Sequence, residues 1–350
     1  MRKYFLLSIT LLLLAGCAAP PPSVRYIYPV PPDEPRIEWL GTYASQDDFP
    51  KSGAQIAWEN IAGKPPLDLF AGPYGVAADN RGRAFVVDMF AQNIVIYDFN
   101  KQSIEYFLKE PALRRPMYLA IDSRQQLYVA DAELQKVLVF SPDARVVRTY
   151  GDKDELTLPV YVEVDEARRR LYVSDTRQGQ IHVYDLDSGQ HLFAFGKEML
   201  MGAQGVAPGP DGNLYVADTL NANVKVFDAN GKFLRKFGER NDTPGGMEHP
   251  RDLAFDSDGN LWLVDYRKPV LRAFAPDGTF LFNMGGPLGH KMGFGTPTAI
   301  YISPDDEIYV TDLMGKRFSH WRYLSKKALA LHPLTAADLD AVKTQGAGNK

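Results

Sequence analysis

The sequence predicts an all-β chain, a six-bladed β-propeller of four-stranded blades, from two markers that recur in phase and a set of turn signals. An aspartate closing a short apolar segment recurs as Asp88, Asp131, Asp175, Asp218, Asp265 and Asp312, at spacings of 43, 44, 43, 47 and 47 residues. A proline precedes it as Pro73, Pro116, Pro159, Pro250 and Pro297, with Ala203 once in its place, 15 residues ahead or 16 in the third unit. Two markers keeping one phase through six units are not a chance pattern. Asp258-Gly259, Asp277-Gly278 and Asn230-Gly231 are the pairs that reach the positive φ of tight hairpin turns.

Each unit reads as four strands. In the second, strand a is Pro116 to Asp122, b is Leu127 to Ala130, c is Val137 to Phe140 and d is Val146 to Tyr150. Their alternation and their β-branched and aromatic content favour strand over helix. The clearest unit runs from Gln204-Gly205-Val206 through Pro210-Asp211-Gly212-Asn213-Leu214-Tyr215-Val216-Ala217-Asp218 and Asn223 to Asp228 to Lys232 to Gly238. This pattern resembles NHL repeats over about residues 70 to 325. A ring of six blades must also close. The sixth unit lacks an obvious d strand, and Arg36 to Tyr43 reads as a d strand without a blade, so it is expected to complete blade six; Lys327 to His332 is the alternative.

A length of 350 residues is long for one core, and the repeats resolve this in favour of one repetitive domain. After residue 16 no apolar run is long enough to span a bilayer. At the N-terminus Arg2 and Lys3 precede an apolar run from Tyr4 to Leu14 and then Leu14-Ala15-Gly16-Cys17. This arrangement resembles a bacterial lipobox, which implies a signal peptide over 1–16 and acylation of Cys17. Loss of Arg2 and Lys3 takes the net charge from -4 to about -6, which speaks against nucleic-acid binding. Cys17 is the single cysteine, which excludes an internal disulfide and a C-x-x-C-H haem attachment. More than one acyl chain makes anchoring stable. Ala18 is not the Asp that favours inner-membrane retention in enterobacterial lipoproteins, so the expected location is the cell envelope, with the outer membrane favoured. Residues 17–35 read as the acylated cysteine and a proline-rich tether, 36–330 as the propeller with its closing strand, and 331–350 as a tail.

The six aspartates suggest a metal ring only at first sight. Each ends strand b, where a carboxylate can accept backbone N–H groups of the next turn, so a structural role common to all blades is the expectation. Enzymes that share the propeller fold include amidating lyases, lactonases and strictosidine-synthase-like proteins, which use metals or acids at the axis; fold alone carries no activity. The residues just before strand a are Gly72, Arg115, Leu158, Gly202, His249 and Thr296, so a multi-histidine zinc site is not offered. The second residues after the marker are Gly75, Tyr118, Tyr161, Gly205, Asp252 and Ala299, with one acid among them. His249, Arg251, Asp252, Tyr118 and Tyr161 are the candidate axial ligand site, with an Arg251–Asp252 pair as its distinctive feature. No P-loop, Rossmann fingerprint, G-x-S-x-G or H-E-x-x-H motif occurs.

These observations point to a membrane-anchored docking or scaffolding module rather than an enzyme, with no cofactor or haem of its own and with envelope proteins, such as those of electron-transfer or export complexes, as partners. The alternative is an envelope hydrolase or lyase with an axial metal. The partner face is expected where the d-to-a and b-to-c connections lie, because methionines and other apolar residues gather there: Met89, Phe90, Met247, Met292, Leu313 and Met314. Replacing Cys17 with Ala is expected to move the protein from the membrane pellet to the soluble envelope fraction on ultracentrifugation; equal membrane recovery would refute the anchor.

Overall fold

Burial falls from the inside of each blade outward, and the sequence shows why. In blade four every residue of strand b (Leu214–Asp218) and strand c (Asn223–Phe227) is buried, whereas strand d (Phe233–Phe237) is largely exposed. Inner strands covered on both faces need continuous apolar runs, and outer strands tolerate Arg235 and Lys236. The computed structural model describes residues 25–29, 33–51, 53–63, 69–289 and 292–347. Cys17 lies outside them.

Six antiparallel sheets form the ring, one per repeat. Their a strands are Pro73–Ala78, Pro116–Ile121, Pro159–Asp165, Ala203–Pro208, Pro250–Phe255 and Pro297–Ile302. In every blade the marker residue of strand a pairs with the terminal Asp of strand b, as Pro116 does with Asp131. This register places the start of each a strand on one face, here the upper face, together with the d-to-a and b-to-c connections.

The ring closes through the N-terminal segment. Strand Ile37–Tyr43 pairs with Arg317–Tyr323 and becomes strand d of blade six, and Tyr26–Tyr28 adds a fifth strand outside it. Lys326–Leu331 is instead a short helix capped by Ser325. Two contacts hold the closure. Buried Glu38 takes ion pairs from Arg25 at 2.6 Å and Arg322 at 3.0 Å. The Tyr43 ring lies 5.1 Å from Phe318 of blade six and 5.1 Å from Phe99 of blade one, so aromatic packing bridges the seam.

On the upper face the six strand-b aspartates are buried and tie two connections together. Asp131 accepts N–H bonds from Arg114 and Arg115 before strand a, and from Glu133 and Leu134 in the b-to-c turn. Asp88 does the same for Ala71, Gly72, Phe90 and Ala91. The bonds thus reach back to the preceding loop as well as forward to the next turn. That turn takes a left-handed step, at Gln92, Gln135, Ala222 and Lys316, which side chains rarely adopt. On the lower face adjacent blades are laced by bonds such as Arg83 to Gln125, Ser123 to Glu166 and Ser257 to Asp306.

Asp218 differs from Asp131 in also meeting the ammonium of buried Lys225. Asp131→Ala strands four backbone donors and is expected to cost about 3 kcal/mol in urea or thermal melts, while Asp131→Asn keeps an acceptor and costs clearly less. At position 218 the Asn and Ala variants are expected to converge, because Lys225 loses its counter-charge in both. A larger Asn–Ala gap at 218 than at 131 would contradict this account.

Candidate functional site

Strand a lines the axis, and space there is set by small residues. At the second position after the marker, a Cβ added to Gly75 would sit 2.8 Å from the Met117 carbonyl oxygen, and one on Gly205 would sit 2.6 Å from Asp252 Oδ1. The glycines make room for the side chains of Tyr118, Tyr161 and Asp252, which come from blades two, three and five and meet across the channel. The two tyrosine rings lie 4.0 Å apart. Tyr118 Oη donates to the Ile300 carbonyl at 3.2 Å; Asp252 Oδ1 accepts from Leu253 N at 2.8 Å and Oδ2 from Ile300 N at 2.9 Å. All three residues are buried, so together they plug the axis.

Burial pushes the Asp252 carboxyl up to about 7, against the opposing pull of the Ile300 and Leu253 N–H groups and the Tyr118 and Tyr161 hydroxyls. Below the plug, Glu163 is pushed up to about 8, first by burial and then by the charges of Asp252 and Asp165. Glu163 lines a pocket of about 200 Å³ with Tyr118, Tyr161, Ala207, Ala254 and Tyr301. Burial and then the Glu163 charge raise the Tyr301 phenol to about 12, which keeps it a hydrogen-bond donor at neutral pH. Glu163 and Tyr301 were not among the sequence candidates, which stopped at the second position after the marker. The fourth position reads Ala77, Ala120, Glu163, Ala207, Ala254 and Tyr301, and the two departures from alanine are the signal.

The remaining candidates separate. Arg251 does not pair with Asp252, because Asp252 turns to backbone N–H groups while the guanidinium lies over the rings of Tyr74 at 4.5 Å and Tyr266 at 5.2 Å. Burial lowers the Arg251 pKa to about 10. His249 Nδ1 is buried without a hydrogen-bond partner. Of the apolar face, Phe90 is 65% exposed and Met314 70%, while Met89, Met292 and Leu313 are half-buried. Met247 is 0% exposed and does not belong to that face, since its thioether packs beneath Gly238. Met89 and Phe90 line a pocket of about 480 Å³ with Met117, Leu158 and Val160, rimmed by Arg114 and Arg115.

An axial divalent metal does not fit the donors present. Among the described residues no three His, Cys, Asp or Glu side chains gather in a way that could hold one. Asp252 spends an oxygen on each of two backbone donors, which leaves a poor ligand set for a hard cation.

A family model described as lactonase, seven-bladed β-propeller, matches residues 87–211, from strand b of blade one to the a-to-b turn of blade four. The ring here has six blades. No curated protein matches the sequence. Among solved structures, a catalytically inactive virginiamycin B lyase from Staphylococcus aureus with quinupristin is similar at 13% identity and a TM-score of 0.56, covering 76% of this chain and 86% of that one. A protein described as a putative gluconolactonase is 15% identical with a TM-score of 0.59, over 81% and 98% of the two chains. A luciferin-regenerating enzyme is 12% identical with a TM-score of 0.55, over 73% and 92%. At these identities the likeness shows the fold. The expectation of a non-enzymatic module is nevertheless corrected by these matches, because the family model is a lactonase model and all three neighbours are named as enzymes.

A carboxyl whose folded pKa is raised stabilises the fold fully below its unfolded value and loses that contribution as pH rises through the folded value. For Asp252 and Glu163 the loss runs from about pH 4 up to about 7 and about 8. Stability is thus expected to decline over this window, and Glu163→Gln to be more stable than the parent by on the order of 1 to 3 kcal/mol at pH 9 but not at pH 4. Melts at the two pH values check the sign; equal gains at both would show that charge is not the cause.

Proposed function

We propose that the protein is a hydrolase that opens a small ester or lactone in the lower axial pocket, with Glu163 as general base and acid and Tyr301 as the donor to the carbonyl oxygen. The observation that carries this reading is that these two side chains, from blades three and six, face one pocket and interact there, and neither makes a hydrogen bond among the described residues. Polar groups left unpaired in a pocket of this kind are available to a ligand. The lactonase family model and the putative gluconolactonase agree in reaction class. A Cys17 lipid anchor would hold the enzyme in the cell envelope.

The carboxylate form of Glu163 takes a proton from water as the water oxygen attacks the carbonyl carbon. The Tyr301 hydroxyl donates to the oxygen as negative charge develops on it. The C–O bond to the leaving alkoxide then breaks, and Glu163 returns the proton to that alkoxide, so that one water is added and the Glu163 carboxylate is regenerated. Burial beside Asp252 raises the basicity of Glu163 into the range where a general base works near neutrality.

Turnover of a panel of small lactones and aryl esters, followed by pH-stat, tests this. The base must be ionised, so the rate is expected to rise with pH and level off above about 8. Glu163→Gln is expected to lose about 100-fold or more, and Tyr301→Phe about 10- to 100-fold, with Glu163→Gln melting no lower than the parent. Parent-like turnover in Glu163→Gln, or no turnover of any panel member by the parent, would overturn the assignment.

A further inference from the structure

Above the plug the channel holds a different chemistry. The residue after each marker contributes Tyr74, Met117, Val160, Gln204, Arg251 and Thr298 to the level nearest the upper mouth, and Arg251 is its one ionic side chain. Its guanidinium reaches from blade five, past blade six, to the Tyr74 ring of blade one, with Tyr266 of its own blade as the second ring. Tyr266 is 37% exposed and marks the edge of the mouth. Two aromatic faces lie within cation–π range of the guanidinium, yet they satisfy none of its five N–H donors. Among the described residues Arg251 makes no hydrogen bond and no ion pair. Asp252, the nearest carboxylate in sequence, is committed to Leu253 and Ile300.

We propose that this mouth is a carboxylate-binding site, in which Arg251, set against the rings of Tyr74 and Tyr266, takes both oxygens of an organic carboxylate through its N–H groups. The planar fork of a guanidinium matches a carboxylate bidentately, and the flanking rings offer contact to an apolar body attached to it. A monoanion suits the site better than a phosphate dianion. One cation is present at this level, and the Asp252 charge is close enough to act on Arg251. The site is separate from the hydrolytic pocket, because Tyr118, Tyr161 and Asp252 close the axis between them.

The ligand can be a small acid or the C-terminal carboxylate of a polypeptide, and calorimetric titration of the full chain distinguishes the two. Phenylacetate and a short acetylated peptide ending in free phenylalanine are the probes, with phenylacetamide, the amidated peptide and phenyl phosphate as controls. Both acids are expected to bind and the two uncharged amides not to; phenyl phosphate is expected to bind more weakly than phenylacetate. A peptide acid binding more tightly than phenylacetate assigns a chain terminus as the source, and equal affinities assign a small acid. Arg251→Met is expected to weaken the acids by at least about tenfold, Arg251→Lys by less, and Glu163→Gln not at all. Amide and acid binding alike, no binding of either acid at millimolar concentration, or unchanged affinity in a folded Arg251→Met protein would overturn the proposal. The amide-against-acid comparison needs no variant, and the Glu163→Gln control separates failure of this site from failure of the hydrolytic pocket.

Discussion

The buried aspartate at the end of each b strand is the constraint on which the rest of the ring depends. A carboxylate removed from water is costly unless its oxygens are well supplied with donors, and here backbone N–H groups supply them, from the loop entering strand a and, in most blades, from the b-to-c turn. The loop and the turn are thereby fixed to each other and to the marker residue paired with the aspartate. Once those three are fixed, the register of strand a is fixed, and with it which residue of each blade faces the axis at which depth. Inter-blade bonds on the lower face then set the spacing of neighbours.

Register of this kind turns the axis into a set of levels, each made of one residue per blade. Six side chains cannot all enter so narrow a space. The second level therefore combines Gly75, Gly205 and Ala299 with Tyr118, Tyr161 and Asp252, and the fourth is alanine except at Glu163 and Tyr301. Small residues are thus the packing requirement, and a large or ionisable residue at an axial level is the exception that the ring must accommodate. Function is written in those exceptions, because a role shared by all six blades belongs to the architecture.

This explains what was legible in the sequence. The fold was, since the markers and turn dipeptides repeat and repetition survives wide variation in the residues between them. Strand Arg36 to Tyr43 could be recognised as a d strand without a blade, and the sixth unit, which lacks an obvious d strand, identified its partner. Tyr118, Tyr161 and Asp252 stood out at their level and do meet at the axis. Glu163 and Tyr301 were missed because they lie two residues deeper, where each looks like an ordinary strand residue until the six a strands are aligned by register. The Arg251–Asp252 pair was misread for a related reason: at the register shift between Pro250 and Asp252 the carboxylate takes the Leu253 and Ile300 N–H groups while the guanidinium reaches the Tyr74 and Tyr266 rings. Met247 was read as surface from its loop, but the positive φ of Gly238 turns the chain so that the thioether packs underneath.

The charges at the axis are arranged against the electrostatics that folding alone would favour. An ion pair between Arg251 and Asp252 would neutralise both, and adjacent residues are near enough in sequence to make one. Instead Asp252 is drawn to the Ile300 and Leu253 N–H groups, Arg251 is held by two tyrosine rings, and Glu163 lies below with no cation beside it. Each is left with unused hydrogen-bonding capacity or a displaced pKa, conditions that raise the free energy of the unliganded ring. A propeller can sustain this because its stability is a sum over blades and their interfaces, most of it remote from the axis in the strand-b aspartates and the packed layers between sheets. The cost is concentrated where a ligand could relieve it, acid chemistry below the plug and anion recognition above it, and the plug that separates the two levels keeps the opposite charges from cancelling.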